Sequence, residues 1–274
     1  MNVAQLTDVD AFLERAGPFL IEREPLNNLL LGITGTIRAD DGRFPERSFW
    51  VVDDGGRVVG AALRTPPYNL VLTDMVAEAV DALAAAVTER LPGVVGLRPG
   101  VDRFAGAHSG AATLLRAQGV YALERVEEVP RSGHGRPAEP RDRDLLVAWW
   151  RAFVAEALHE HGPEGGREAE SVDVRLRAQH TGIRVWEHGG EVVSLAGWGG
   201  PTPNGIRIGP VYTPPELRGR GYATALVAEL SQLLLDQGRR FCFLYTDLAN
   251  PTANAIYRRI GYVQVGESAE YRLE

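Results

Sequence analysis

Residues 206–228 read IRIGPVYTPPELRGRGYATALVA. The stretch divides into a β run, a loop with prolines and glycines, and a helix. In the loop, Gly219 and Gly221 lack a Cβ and are expected to take positive φ, which aims successive N–H groups at one point. The helix that follows opens with Tyr222, Ala223 and Thr224 and adds about half a positive charge at its start. Arg218 and Arg220 supply full charges beside it. Leu226, Leu230, Leu233 and Leu234 mark one apolar stripe, and Gly238 ends the run. The loop is therefore suited to holding a phosphate. It is not a nucleotide P-loop, since the chain contains no lysine. It also lacks the third glycine of a dinucleotide-binding fingerprint.

A second pattern lies downstream. Phe241 to Thr246 is an apolar β run. Asn250-Pro251 then opens a helix, with Asn as N-cap and Pro in the first turn, and Gly261 closes it. Asn254 and Tyr257 are three residues apart, so their side chains are neighbours.

Arg218-Gly219-Arg220-Gly221-Tyr222-Ala223 resembles the Arg/Gln-x-x-Gly-x-Gly/Ala pattern that grips the pyrophosphate of coenzyme A in GNAT-type N-acetyltransferases. Asn254-Ala255-Ile256-Tyr257-Arg258-Arg259-Ile260-Gly261-Tyr262 closely resembles the GNAT ending Asn-x-x-x-Tyr-x-x-x-Gly-Phe. The two motifs stand in the family's order with a β run between them. The resemblance implies an acetyl-CoA-dependent transferase. It implies cosubstrate contacts from Val211, Tyr212, Thr213, Arg218, Gly219, Arg220, Gly221, Tyr222, Ala223, Thr224, Asn250, Asn254 and Tyr257. The backbone N–H groups of Val211 and Thr213 are the expected partners on the strand, because Pro210 has none. Tyr257 is the implied general acid for the departing thiolate, since a phenol with a pKa of about 10 stays protonated at neutral pH.

The whole chain narrows the classes. At 274 residues and 45% apolar it can bury one large core or two ordinary ones. A net charge of −7 disfavours a nucleic-acid partner and mildly favours a cationic one such as an amine. No apolar run reaches the roughly 18 residues of a membrane helix. Asp8, Asp10 and Glu14 are incompatible with a signal peptide. The one cysteine, Cys242, forms no intrachain disulfide and reads as core. A cytoplasmic protein is expected. His159-Glu160-His161 lacks zinc-ligand spacing, and no metal is expected.

In chain order, residues 1–43 read as two helices, the second carrying Asn27-Asn28. Strands follow at 48–52 and 58–63, joined by Asp53-Asp54-Gly55-Gly56, a hairpin signal. A third strand at 68–73, a helix at 75–90, a strand at 94–97, a helical tendency over 101–119 and a strand at 120–129 complete the first half. Residues 130–141 hold three prolines and two glycines and read as a linker in which His134 is solvated. The second half repeats the order with helices at 142–159 and 168–180, strands at 183–188 and 192–197, and final strand pieces at 263–265 and 271–273. The expected fold is α/β (α+β mixed sheet), as two tandem GNAT-like domains, each a mixed, mostly antiparallel sheet flanked by helices. Domain bounds are 1–130, linker 131–141, and 142–274 for the catalytic domain. An unrelated α+β module over 1–130 is the alternative. Leu72-Thr73-Asp74-Met75 has no glycine or arginine where a phosphate loop would lie, so one CoA per chain is expected; fragment 141–274, which would expose an apolar face, is expected to retain it if it stays soluble. The first half would then cover the acceptor side or form an oligomer contact, for instance in a homodimer.

Acetyl transfer to an amine also needs a proton acceptor. His159, Glu160, His161, Glu187, His188, Tyr212 and Asp247 are the candidates, none with diagnostic spacing. The function expected is transfer from acetyl-CoA to a primary amine of a small molecule or peptide. The rival is an acyl-CoA-binding sensor or interaction protein without turnover.

Overall fold

The computed structural model describes residues 1–157 and 167–274. The first half runs β1 (Asn2–Leu6), α1 (Val9–Glu22), α2 (Glu24–Ala39), β2 (Ser48–Asp54), β3 (Arg57–Arg64), β4 (Leu70–Leu72), α3 (Ala77–Ala86), β5 (Gly93–Leu97), α4 (Gly100–His108) and β6 (Ala112–Leu123). The second half runs β7 (His134–Pro137), α5 (Arg143–Ala157), α6 (Arg167–Arg177), β8 (Gly182–His188), β9 (Glu191–Gly199), β10 (Gly205–Tyr212), α7 (Tyr222–Asp236), β11 (Phe241–Asp247), α8 (Pro251–Ile260) and β12 (Val263–Leu273).

The strands join in one 12-stranded mixed sheet of order β1-β2-β3-β4-β5-β12-β6-β11-β10-β9-β8-β7. Helices cover both faces. The period of two along β2 shows why: Phe49 and Val51 enter the core with Phe12, Leu20 and Ile37, while Trp50 and Val52 enter the core with Leu83 and Phe104. In the second half, α7 places Leu226 and Leu230 in a core with Trp186 and Ile206, and α5 places Leu146 and Trp150 in another with Val185 and Leu195. Burying one such leucine contributes about 1.5–3 kcal/mol.

The order of strands is that of two six-stranded units that have traded their last members. β12, from the second half, lies between β5 and β6, and β6, from the first half, lies between β12 and β11. Their mutual ladder runs from Val263↔Ala122 to Leu273↔Ala112. In fragment 141–274 the sheet would therefore lack β6, and its own β12 would lose the strands on both sides of it.

Three local readings also change. Residues 112–119 are strand rather than helix: Ala, Leu, Arg and Gln favour helix, but pairing on both sides of β6 overrides that preference. The stretch read as linker contains β7, an edge strand paired with β8 from His134↔Glu187 to Pro137↔Arg184. His134 is exposed, as expected, and lies 3.3 Å from Glu187. β12 is one continuous strand where two short pieces were expected, and β1 had no reading at all. The Gly55-Gly56 hairpin has both φ values positive, at 58° and 88°, as its sequence requires. No helix among the described residues is long and apolar enough to cross a membrane.

The halves also touch through α2. A Cβ on Gly35 would stand 2.2 Å from the Pro201 carbonyl oxygen, and one on Gly32 would stand 2.8 Å from that of Gly200. Only glycine permits this approach of helix to loop. Buried Glu24 fastens the same contact, accepting from Thr202 Oγ1, from the Asn204 N–H at 2.8 Å and from Asn204 Nδ2 at 2.7 Å.

Candidate active site

The loop between β10 and α7 has the geometry its sequence implies. Gly219 and Gly221 have φ of 76° and 82°, and a Cβ at either would meet nothing within 4 Å. Space therefore lies open in front of the backbone. The N–H groups of Gly219, Arg220 and Gly221 make no backbone hydrogen bond among the described residues. Gly221 is the N-cap of α7, and no side chain caps that helix. Unpaired donors, a helix start and open space together form an anion cradle.

The arginines are placed differently from expectation. Arg218 Nε donates to the Thr213 carbonyl at 2.9 Å and its Nη2 to Glu156 at 2.6 Å. Its guanidinium also lies 5.7 Å from the Tyr212 ring centre. Arg220 is exposed and donates to the Glu216 carbonyl at 3.2 Å. Glu156, in the last turn of α5, accepts from both Arg218 and the Tyr212 hydroxyl, the latter at 3.3 Å. Sequence reasoning missed Glu156, since a glutamate near a helix end carries no local signal.

Beside the cradle the sheet opens. β10 and β11 pair in parallel only from Gly205↔Phe241 to Arg207↔Phe243, although both strands run on. On its other side, β10 pairs with β9 with a register shift between Ile208 and Val211, at Gly209-Pro210. The bulge turns the later part of β10, including Val211, away from β11. Tyr212 is buried, its carbonyl accepts from Ser194 Oγ at 3.0 Å, and Thr213 Oγ1 lies 2.8 Å from the same hydroxyl.

Helix α8 follows β11 and carries Tyr257. Its ring makes an edge contact with Tyr262 at 6.0 Å between centres. Its hydroxyl forms no hydrogen bond with a described residue, and burial pushes its pKa up to about 12. Asn254 is not free in the same way. It is buried, its Nδ2 donates to the Asp247 and Asn250 carbonyls at 3.0 and 2.8 Å, and its Oδ1 accepts from Tyr121 at 3.2 Å. It holds the β11–α8 turn to β6. Asn250 caps α8 by accepting from the Ala253 N–H at 3.0 Å. Tyr222 is buried against His188, with ring centres 5.2 Å apart, and Ala223 and Thr224 continue the first turn of α7.

Among the proton-acceptor candidates, His159, Glu160 and His161 lie outside the described residues. Glu187 is held on the edge hairpin by Arg136 at 3.1 Å. Asp247 accepts from the Ala249 N–H at 2.8 Å within its own turn. Two candidates reach the cradle: Tyr212 through Glu156 and Arg218, and His188 through its ring contact with Tyr222. Asn27 and Asn28 divide their duties: Asn27 donates to the Leu20 carbonyl at 3.0 Å, whereas Asn28 donates to the Tyr245 hydroxyl at 3.1 Å and to the Pro25 carbonyl at 2.8 Å.

Residues 143–262, somewhat less than half of the chain, match the Acetyltransferase (GNAT) family model. Two curated relatives are named mycothiol acetyltransferase. The chain is 30% identical over 138 residues to that of Cellulomonas flavigena, covering 44% of this chain and 39% of the relative. It is 26% identical over 186 residues to that of Streptomyces coelicolor, covering 62% of this chain and 60% of the relative. The chain thus spans less than two thirds of the length of either. A solved structure described as a tandem GNAT protein from the clavulanic acid biosynthesis pathway superposes over 98% of both chains with a TM-score of 0.56 at 14% identity, a likeness of fold.

Proposed function

We propose that the second half transfers an acetyl group from acetyl-CoA to a primary amine of a small molecule or peptide. The observation that carries this is the juxtaposition of the unpaired N–H groups at 219–221 with the opening between β10 and β11. The cradle would hold the pyrophosphate through the backbone of Gly219 to Thr224 and the charge of Arg220, with Arg218 joining once it leaves Glu156. The bulged part of β10 would offer the N–H groups of Val211 and Thr213 to the pantetheine arm and the acetyl carbonyl. Acetyl-CoA supplies the thioester. Tyr257, kept protonated by burial and free of partners among the described residues, would donate its proton to the leaving sulfur. Glu156 would take the amine's proton, directly or through water, with the Tyr212 hydroxyl that donates to it as a relay, since burial keeps that phenol protonated. Acetyl-CoA use and the lone buried cysteine favour a cytoplasmic setting. The first half would act as the wall of the acceptor side, through α2.

Release of free thiol from acetyl-CoA across a panel of amines tests the reading, and the relatives' names place mycothiol-type amines on that panel. Cys242 should not disturb the assay, because burial pushes its thiol up to about 12. Turnover with at least one amine is expected. The rival, an acyl-CoA sensor, draws on the pairing of Arg218 with Glu156, and tight binding with no turnover on any amine would favour it.

A further inference from the structure

Two cations near the opening have no anion among the described residues. Arg207 lies on β10 at the last residue pair before the ladder to β11 stops. Its guanidinium makes no hydrogen bond or ion pair with a described residue. Arg175, on α6, lies 4.7 Å over the Trp150 ring, gives one long bond to the Ser171 carbonyl at 3.3 Å, and has a buried Nε without a partner. The two heads approach the same corner of the β9–β10 loop. Arg175 Nη2 lies 3.9 Å from where a Cβ on Gly199 would stand, and Arg207 Nη2 lies 3.3 Å from the equivalent point on Gly200. Glu170 is held by Arg43 at 2.6 Å and does not neutralise them.

The electrostatics agree with the geometry. Desolvation lowers the pKa of Arg207 and brings Arg175 down to about 10, with repulsion from Arg207 and Arg43 adding to the latter. Buried charge without a partner is costly, and removing such charge is commonly neutral or stabilising. Nearby, burial keeps the Tyr245 hydroxyl protonated; it accepts from Asn28 Nδ2 at 3.1 Å and retains its own proton to donate. Two forked donors and a hydroxyl around one corner suit a planar or tetrahedral oxyanion.

We propose that Arg207, Arg175 and Tyr245 bind an oxyanion carried by the acceptor, a carboxylate or a phosphate. Arg207 and Val211 are four positions apart along the strand, so the anion lies on the order of 10 Å from the reacting amine. The link to the amine rests on the acetyltransferase reading; the anion site itself does not.

The first test measures the melting temperature of the full chain in sodium phosphate, in succinate and in chloride at equal ionic strength. An oxyanion-specific rise is expected in the unaltered protein and in Gly221→Val, with none when Arg207→Gln and Arg175→Gln are added to Gly221→Val. Without oxyanion this triple variant should melt no lower than Gly221→Val, and Arg207→Met added alone serves if the triple variant fails to fold. A larger rise with phosphate assigns a phosphorylated acceptor, and a larger rise with succinate a carboxylated one. No rise in the parent, a rise in Gly221→Val that survives loss of both arginines, or a rise lost in Gly221→Val would overturn the site. The second test uses amines matched with and without an anionic group. Arg207→Gln should raise KM for the anionic member about 10- to 100-fold, with kcat within about twofold and the neutral member unchanged. Equal losses for both members would refute the acceptor link. If no amine turns over, the acetyltransferase reading fails while the melting test still decides the anion site.

Discussion

The two halves meet their helices in opposite ways at corresponding places. Between β10 and α7 the chain spends Thr213 to Gly221 on a loop with two left-handed glycines and leaves its N–H groups unpaired. Between β4 and α3 it spends Thr73 to Val76. There, Thr73 is tied to Ala61 in both directions, its N–H donating at 3.0 Å and its Oγ1 accepting at 3.0 Å. Asp74 is paired with Arg23 at 3.3 Å. No positive-φ glycine lies in that junction. Yet the first half has a cleft of about 650 Å³, lined by Arg15, Phe19, Arg23, Val58, Asp74 and Met75 among others. The fold supplies a cleft; the loop decides whether that cleft can hold a phosphate. A cleft with a carboxylate at its helix start is a poor anion site, and an opening with free backbone donors is a good one.

The strand exchange offers the strongest way to break the comparison, because it binds unlike halves into one sheet. Residues 131–274 expressed alone should fail to give a cooperative melting transition as a monomer, while co-expression with 1–130 should restore a stable complex. A well-folded monomeric fragment would show that β6 is dispensable to the second half. Next in size is Tyr257→Phe, which removes a hydroxyl and little volume. Turnover should fall by about 10²- to 10⁴-fold, with CoA affinity little changed. Its pH profile adds a check. Burial raises the phenol, so the protonated, active form persists as pH rises and is lost only near pH 12. The parent rate should therefore climb as the amine deprotonates and show no decline through pH 10. A decline near pH 9, or near-normal turnover in Tyr257→Phe, would remove this tyrosine from the role.

Gly221→Val should weaken CoA by about 100-fold or more, since it disfavours the φ of 82° and fills the space before the cradle. The added side chain meets no protein atom within 4 Å of its Cβ, so the sheet should persist. Unchanged affinity by calorimetry would move the phosphate elsewhere. The smallest effect on stability and CoA affinity is expected from Glu156→Gln, although turnover should fall if its carboxylate takes the amine's proton. It breaks an ion pair whose partners are each about half exposed, at 47% and 46%. Stability should change by less than about 1 kcal/mol, and CoA should bind a few times more tightly as Arg218 is freed. Weaker binding would instead show that Glu156 positions Arg218 productively.

The cradle was legible because its chemistry is local. Glycines at 219 and 221, a helix stripe behind them and the Asn250 cap of α8 all act within a few residues. The exchange of β6 and β12 was not legible, since pairing between residues 112–123 and 263–273 leaves no short-range mark and the helix-favouring composition of 112–119 points the wrong way. Asn254 shows a subtler limit. Its place in the motif was plain, but its bonds to Tyr121 and to the β11–α8 turn depend on a strand from the other half. The ties of Arg218 to Glu156 and the loneliness of Arg207 and Arg175 likewise arise only when distant segments meet.

The central claim is that one half of the molecule keeps the phosphate chemistry and the other keeps only the fold. Titration of the intact chain with CoA by calorimetry, beside Gly221→Val, tests it most directly. One CoA per chain, lost in Gly221→Val, is the predicted result. Two per chain, with one site surviving Gly221→Val, would contradict the account and place a working cosubstrate site in the first half.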